Sequence, residues 1–140
     1  MMLNYNKKIF VGKRIDNAEA WQMPQGGIEY NEDAIDAMKR ELREETGVTS
    51  IEIIKISSEE HAYDLPNHLI RKLWGGKYRG QKQKWFLVKF LGDNKEIKLD
   101  QKKPEFKDWK WINPEELTKL IVPFKKELYQ KLIFEFKNLI

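Results

Sequence analysis

The 140-residue chain contains no cysteine, which excludes disulfides, thiolate zinc sites and cysteine nucleophiles together. It has no apolar run of membrane-spanning length and no signal-peptide pattern at its N-terminus, so a soluble cytoplasmic protein with no membrane role is expected. Histidine is scarce: His61 and His68 lack any ligand-like pairing and receive no role. No internal repeat, low-complexity tract or linker interrupts the chain, and its length suits a single domain over 1–140, able to bury a core and read as a monomer. Charge of one sign is also modest. Lys plus Arg number 26 against 22 for Asp plus Glu, a net +4. That excess suits an anionic substrate but is too small to argue for wrapping duplex DNA.

Chemistry is concentrated in residues 26–48, which read GGIEYNEDAIDAMKRELREETGV. Residues 31–46 hold no proline or glycine, and Ile35, Met38 and Leu42 recur at helical spacing, which predicts a helix. Asn31 is the expected N-cap, Glu32 and Asp33 suit the positive end of the helix dipole, and Gly47 supplies the stop. Glu41, Glu44 and Glu45 then fall on one helical face, within a stripe of roughly 100°. Two readings fit that stripe. It is a solvated acidic surface, or it holds a hard cation such as Mg²⁺ or Mn²⁺ between mutually repelling carboxylates. Gly26 and Gly27 before the helix provide a tight loop that can bring the stripe close to a phosphate chain.

Elsewhere the pattern is that of alternating strands and helices. Residues 1–5, a turn over 4–7 and a strand over 8–11 predict a hairpin with a very short first arm. Trp21 is read as a packing residue. Residues 50–58 and the strongly apolar 84–91 predict strands, the latter central, and 107–112 predicts another with Trp109 and Trp111 on one face. Residues 63–84 are read as a long loop that interleaves Arg71, Lys72, Lys77, Arg79, Lys82 and Lys84 with Trp74 and Tyr78. Such a mixture suits a nucleotide phosphate chain or single-stranded nucleic acid, and equally a solvated loop with two aromatics tucked onto the core. Asn113-Pro-Glu-Glu116 marks a helix start, with a stop at Pro123. Phe124, Leu128, Leu132, Ile133 and Phe136 then form the inner stripe of a C-terminal helix.

The 26–48 stretch resembles the Nudix box, G-x5-E-x7-R-E-U-x-E-E-x-G-U with U aliphatic. Gly26, Glu32, Arg40, Glu41, Leu42, Glu44, Glu45, Gly47 and Val48 fill every fixed position. The resemblance implies an α/β fold, the Nudix α/β/α sandwich with a mixed β-sheet. It also implies divalent-metal hydrolysis of a nucleoside diphosphate linked to another group. Glu41, Glu44 and Glu45 match the metal-binding carboxylates, Arg40 the residue that orients them, and Glu32 the support of the loop–helix geometry. Further segments (WQMPQGG at 21–27, YDLP at 63–66, GQKQKWF at 80–86, PEF at 104–106, WKW at 109–111 and PFKKELY at 123–129) are similar to the bacterial RNA pyrophosphohydrolase and dinucleoside-polyphosphate hydrolase group. That similarity implies Glu105 as a further metal carboxylate. It also implies Arg14, Lys125 and Val122 at the cleft for the RNA 5′ end, with Tyr63 and Lys82 near the substrate.

Glu45 or Glu44 is the expected general base for attack by water. The expected partner is 5′-triphosphorylated RNA. Diadenosine tetraphosphate and its relatives are the alternative substrate, and a catalytically silent RNA-binding module is the alternative from another class. In one respect the chain departs from the group. Relatives carry an N-terminal segment ending in Arg-Pro and a full strand, of which only Met-Met-Leu stands here, so the N-terminal strand is expected to be truncated.

Overall fold

The computed structural model describes residues 1–17, 19–72 and 74–140, without the Trp74 side chain; the expectation for Trp74 therefore lies outside the described residues. In chain order the elements are β1 (Met2–Leu3), β2 (Ile9–Arg14), β3 (Trp21–Gln22), α1 (Ala34–Thr46), β4 (Ile51–Ile56) and β5 (His61–Asp64). Next come α2 (Asn67–Ile70), β6 (Gly80–Gln83), β7 (Phe86–Phe90), β8 (Phe106–Ile112), α3 (Pro114–Leu120) and α4 (Lys126–Phe136). Six described strands form one mixed sheet. β1 pairs in parallel with β7 and antiparallel with β2, β3 and β8 both pair with β2, and β4 flanks β7.

Alternation along the strands sends successive side chains to opposite faces, and each face has its own core. Phe10, Phe86, Val88 and Phe90 pack with Leu42 and Met38 of α1. Ile9, Val11, Trp85 and Leu87 pack with Leu117 of α3 and with Leu128, Tyr129, Leu132 and Phe136 of α4. The result is the expected α/β/α sandwich. Trp109 and Trp111 do share a face, both resting on Phe10.

Several boundaries differ from expectation. Helix α1 begins two residues later than predicted, capped by Asp33, whose side chain accepts from the Ile35 N–H at 2.8 Å. Asn31 instead turns the chain with φ 60°. Both Glu32 carboxylate oxygens bind Arg40, and one of them also accepts from the Glu29 N–H at 2.9 Å. At the other end Gly47, at φ 75°, returns its N–H to Arg43. Helix α3 carries the expected capping box between Asn113 and Glu116 but ends at Leu120.

The predicted loop over 63–84 is instead mostly ordered. β5 and β6 form a separate two-stranded antiparallel sheet with α2 between them. Its strands are polar, so their pairing leaves no apolar period in the sequence. His61 ties this hairpin to α4 through Glu135, Nε2 to Oε2 at 3.0 Å.

β1 is short yet sits between β2 and β7. The Met1 amino group donates to the Phe86 carbonyl at 2.6 Å, and the Val88 N–H donates to Met1 O at 2.9 Å. Complete burial lowers that amine to a pKa of about 5.

Candidate active site

The last turns of α1 and the 24–29 loop meet over Arg40. Its guanidinium donates to both oxygens of Glu32 (2.8 and 2.9 Å), to Glu41 at 2.7 Å, to Glu44 at 3.2 Å and to the Gly27 carbonyl at 2.7 Å. A single planar cation thus fastens the loop to the helix and gathers three of the acidic side chains. Those bonds hold the Glu32 carboxyl down at a pKa of about 2 and raise Arg40 above its ordinary value.

A side chain at Gly26 would displace the Glu41 carboxylate. A Cβ at that position would stand 1.8 Å from the Glu41 carboxyl carbon, so the bare backbone forms the seat of that carboxylate. Glu44 points outward, its side chain 55% exposed.

Glu45 faces the other way. It is 2% exposed. One oxygen accepts from the Gln25 N–H at 3.0 Å, while Oε1 is buried without a hydrogen-bond partner. Burial first, and then the negative charge of Glu105, push its carboxyl well above the usual range, and Glu41 adds to the repulsion. Among the described residues no three His, Cys, Asp or Glu side chains converge tightly enough to enclose an ion. The donor chemistry nonetheless fits a hard divalent cation. An orphaned buried carboxylate oxygen, a second carboxylate raising its proton affinity and a third seated on a glycine form an oxygen-rich setting with an excess of negative charge, which such an ion relieves.

Facing this acidic group is a basic one. Arg14, at the end of β2, is bonded to Asp16 and reaches Gln22 Oε1 at 3.3 Å. Its charge is reinforced by Asp16, Glu105 and Glu45. Lys125, just before α4, is buried at 5% exposure. Its Nζ donates to Gln22 Oε1 at 3.3 Å and Gln25 Oε1 at 3.1 Å, and lies 5.2 Å from the Tyr63 ring centroid. Burial, then the Arg14 charge, lower it to a pKa of about 8. Tyr63 is buried and donates to Gln81 Oε1 at 3.1 Å. Val122 is half-buried at the edge of the α4-side core.

Arg14, Lys125 and Tyr63 are therefore brought together, while Glu105 and, more weakly, Glu41 lie within electrostatic reach of Glu45. Lys82 stands apart, exposed on β6. It lines a cavity of about 250 Å³ whose other walls include Glu41, Gly26, Gly27 and Met38. Gln22 and Gln25 were not predicted as site residues. They join the two groups, since Gln25 bonds Glu45 through its backbone and Lys125 through its side chain. Their only sequence signal is membership of the WQMPQGG segment.

The NUDIX domain profile matches residues 1–132. The RNA pyrophosphohydrolase of Novosphingobium aromaticivorans is 52% identical over all of this chain and 90% of its own length. That of Rickettsia conorii is 50% identical over all of this chain and 88% of its own. Among solved structures, the E. coli dihydroneopterin triphosphate pyrophosphohydrolase superposes with a TM-score of 0.71, covering 96% of this chain and 92% of that one at 18% identity. A C. elegans Ap4A hydrolase gives 0.67, covering 99% and 96% at 17% identity; at such identities these two likenesses speak for the fold alone. The chain belongs to the Nudix family. It is a pyrophosphohydrolase of a family that generally uses divalent metal ions. No described helix is long and apolar enough to cross a membrane.

Proposed function

We propose that this Nudix hydrolase removes pyrophosphate from the 5′-triphosphate end of RNA, a step in mRNA decay, acting as a cytoplasmic monomer. One observation carries the choice of substrate: relatives named RNA pyrophosphohydrolase are 52% and 50% identical to it across its entire length. The geometry supports the reading because it sets a carboxylate group against a basic pair within one network of glutamines.

Glu41, Glu45 and Glu105, with Glu44 at the rim, are the residues that would hold Mg²⁺ or Mn²⁺. Such an ion supplies charge neutralisation for phosphate oxygens and acidifies water. Arg40 takes no part in proton transfer; it keeps Glu41 and Glu44 in position and ties them to Gly27 and Glu32. Arg14 and Lys125 bind the phosphorylated RNA end, with Tyr63 and Val122 bounding the space for its first nucleotides and Lys82 contributing charge from across the cleft. Glu45 or Glu44 accepts the proton as the water oxygen bonds to phosphorus. The anhydride P–O bond then breaks, and its electron pair leaves with pyrophosphate.

Steady-state kinetics on triphosphorylated RNA test the division of labour. Arg14→Ala and Lys125→Ala are expected to raise KM more than they lower kcat, because binding residues act before the chemical step. An unchanged KM in both would move the RNA to the basic residues between Arg71 and Lys84 and overturn this arrangement.

A further inference from the structure

Beside the site, two lysines from different strands converge on one indole. Lys13 of β2 and Trp21 of β3 are cross-strand partners. Lys110 of β8 pairs with Val11, two residues along β2 from Lys13 and hence on the same face. The ammonium groups stand 5.6 Å (Lys13) and 4.3 Å (Lys110) from the Trp21 ring centroid, so one ring holds both against their mutual repulsion. Neither lysine has an ion-pair partner among the described residues. Asp108 lies opposite Lys13 in the β2–β8 register, but its Oδ1 accepts from the Trp109 N–H at 2.8 Å. That carboxylate forms no ion pair with either ammonium, and two cations gathered on a neutral platform outnumber it, which leaves a place for an anion.

The pair borders the candidate site. Lys13 precedes Arg14, and Trp21 precedes Gln22, whose Oε1 accepts from both Arg14 and Lys125. Trp21 also packs at the margin of the same core as Val122 and Phe124. A chain whose 5′ end is held by Arg14 and Lys125 must put its following phosphates somewhere, and phosphate contacts are how a protein sets the register of a nucleic acid. We propose that Lys13 and Lys110, held over Trp21, bind backbone phosphates of single-stranded RNA downstream of its 5′ end. This deepens the RNA reading of the site and rests on it. In it Trp21 serves as the floor for the lysines, in keeping with its role as a packing residue.

The test separates binding from hydrolysis. A fluorescein-labelled 5′-hydroxyl octaribonucleotide carries downstream phosphates but no triphosphate, and its binding to the full chain is followed by anisotropy across a salt series. Lys13→Gln/Lys110→Gln keeps aliphatic stems over Trp21. It is expected to weaken binding about tenfold and to flatten the slope of log Kd against log salt by about 1.4, two phosphates at about 0.7 each. Lys119→Gln, an exposed lysine on α3, is expected to change neither.

With triphosphorylated substrates, the double variant should raise KM for the octanucleotide, keep kcat, and leave a triphosphorylated dinucleotide unaffected. Parental Kd and salt slope in the double variant would overturn the proposal. So would an equal loss on the dinucleotide, which would put the lysines at the 5′ end itself. If octanucleotide binding needs the lysines while triphosphorylated RNA is not hydrolysed, the phosphate-binding surface stands and the RNA 5′-end function falls. If the RNA is hydrolysed well and neither readout moves, this proposal alone falls.

Discussion

The geometry sets stability against function most sharply at Glu45. Its Oε1 is buried and unpartnered, and such an atom costs on the order of 1–3 kcal/mol, with repulsion from Glu105 in addition. Glu45→Gln retains an oxygen for the Gln25 N–H and removes the buried charge. The variant is expected to melt at or above the parental temperature while kcat falls by about 100-fold or more; near-parental turnover at saturating Mg²⁺ would remove Glu45 from the chemistry. Gly26→Ala offers a complementary case. The added methyl would occupy the Glu41 carboxyl position, yet the residue is exposed. Activity should therefore drop at least about tenfold with little change in melting temperature, read by parallel kinetics and thermal melts. The glutamates could be read from the sequence because their spacing on one helix is a local property. The glutamines could not, since Gln25 acquires its role only by meeting Lys125, one hundred positions away.

Elements with a strong local signature were legible in the same way. Helix α1, the Gly47 stop, the apolar β7 and the Asn113–Glu116 capping box all follow from residues within a turn or two of one another. Asp33 stands in place of Asn31 as the cap because its backbone is extended (φ −72°, ψ 146°) and its side chain reaches the Ile35 N–H, whereas Asn31 turns the chain at φ 60°. The β5–β6 hairpin escaped notice because its polar strands pair with each other apart from the main sheet. Strand β1 leads to a prediction about pH. In a polypeptide whose first residue is Met1, the buried amine has a folded pKa of about 5 against the ordinary value of 8.0. Between those values the unfolded chain binds the proton and the folded chain does not, so stability rises with pH across the window and is lost as pH falls through it. The full difference is about 4 kcal/mol, at about 1.4 kcal/mol per unit. A chain with six to ten upstream residues lacks that amine and can continue β1 alongside β7. Its melting temperature should exceed that of the Met1 form most at pH 6 and by less at pH 8.5. A gap independent of pH would show that the amine does not govern β1.

The whole molecule divides its labour across one sheet. α1 packs on one side and α3 with α4 on the other. Arg14 and Gln22, at the ends of β2 and β3, join the two sides. The sandwich could be anticipated from the alternation of strand and helix signals, but the meeting of acidic and basic groups around two glutamines is a property of the assembled fold. That meeting suits a polyphosphate carried on a nucleoside. The direct measurement is kcat/KM for one preparation at saturating Mg²⁺ on 5′-triphosphorylated RNA and on diadenosine tetraphosphate. RNA is expected to be favoured by about tenfold or more, with pyrophosphate and 5′-monophosphorylated RNA as products. An equal or higher kcat/KM on diadenosine tetraphosphate would contradict the assignment.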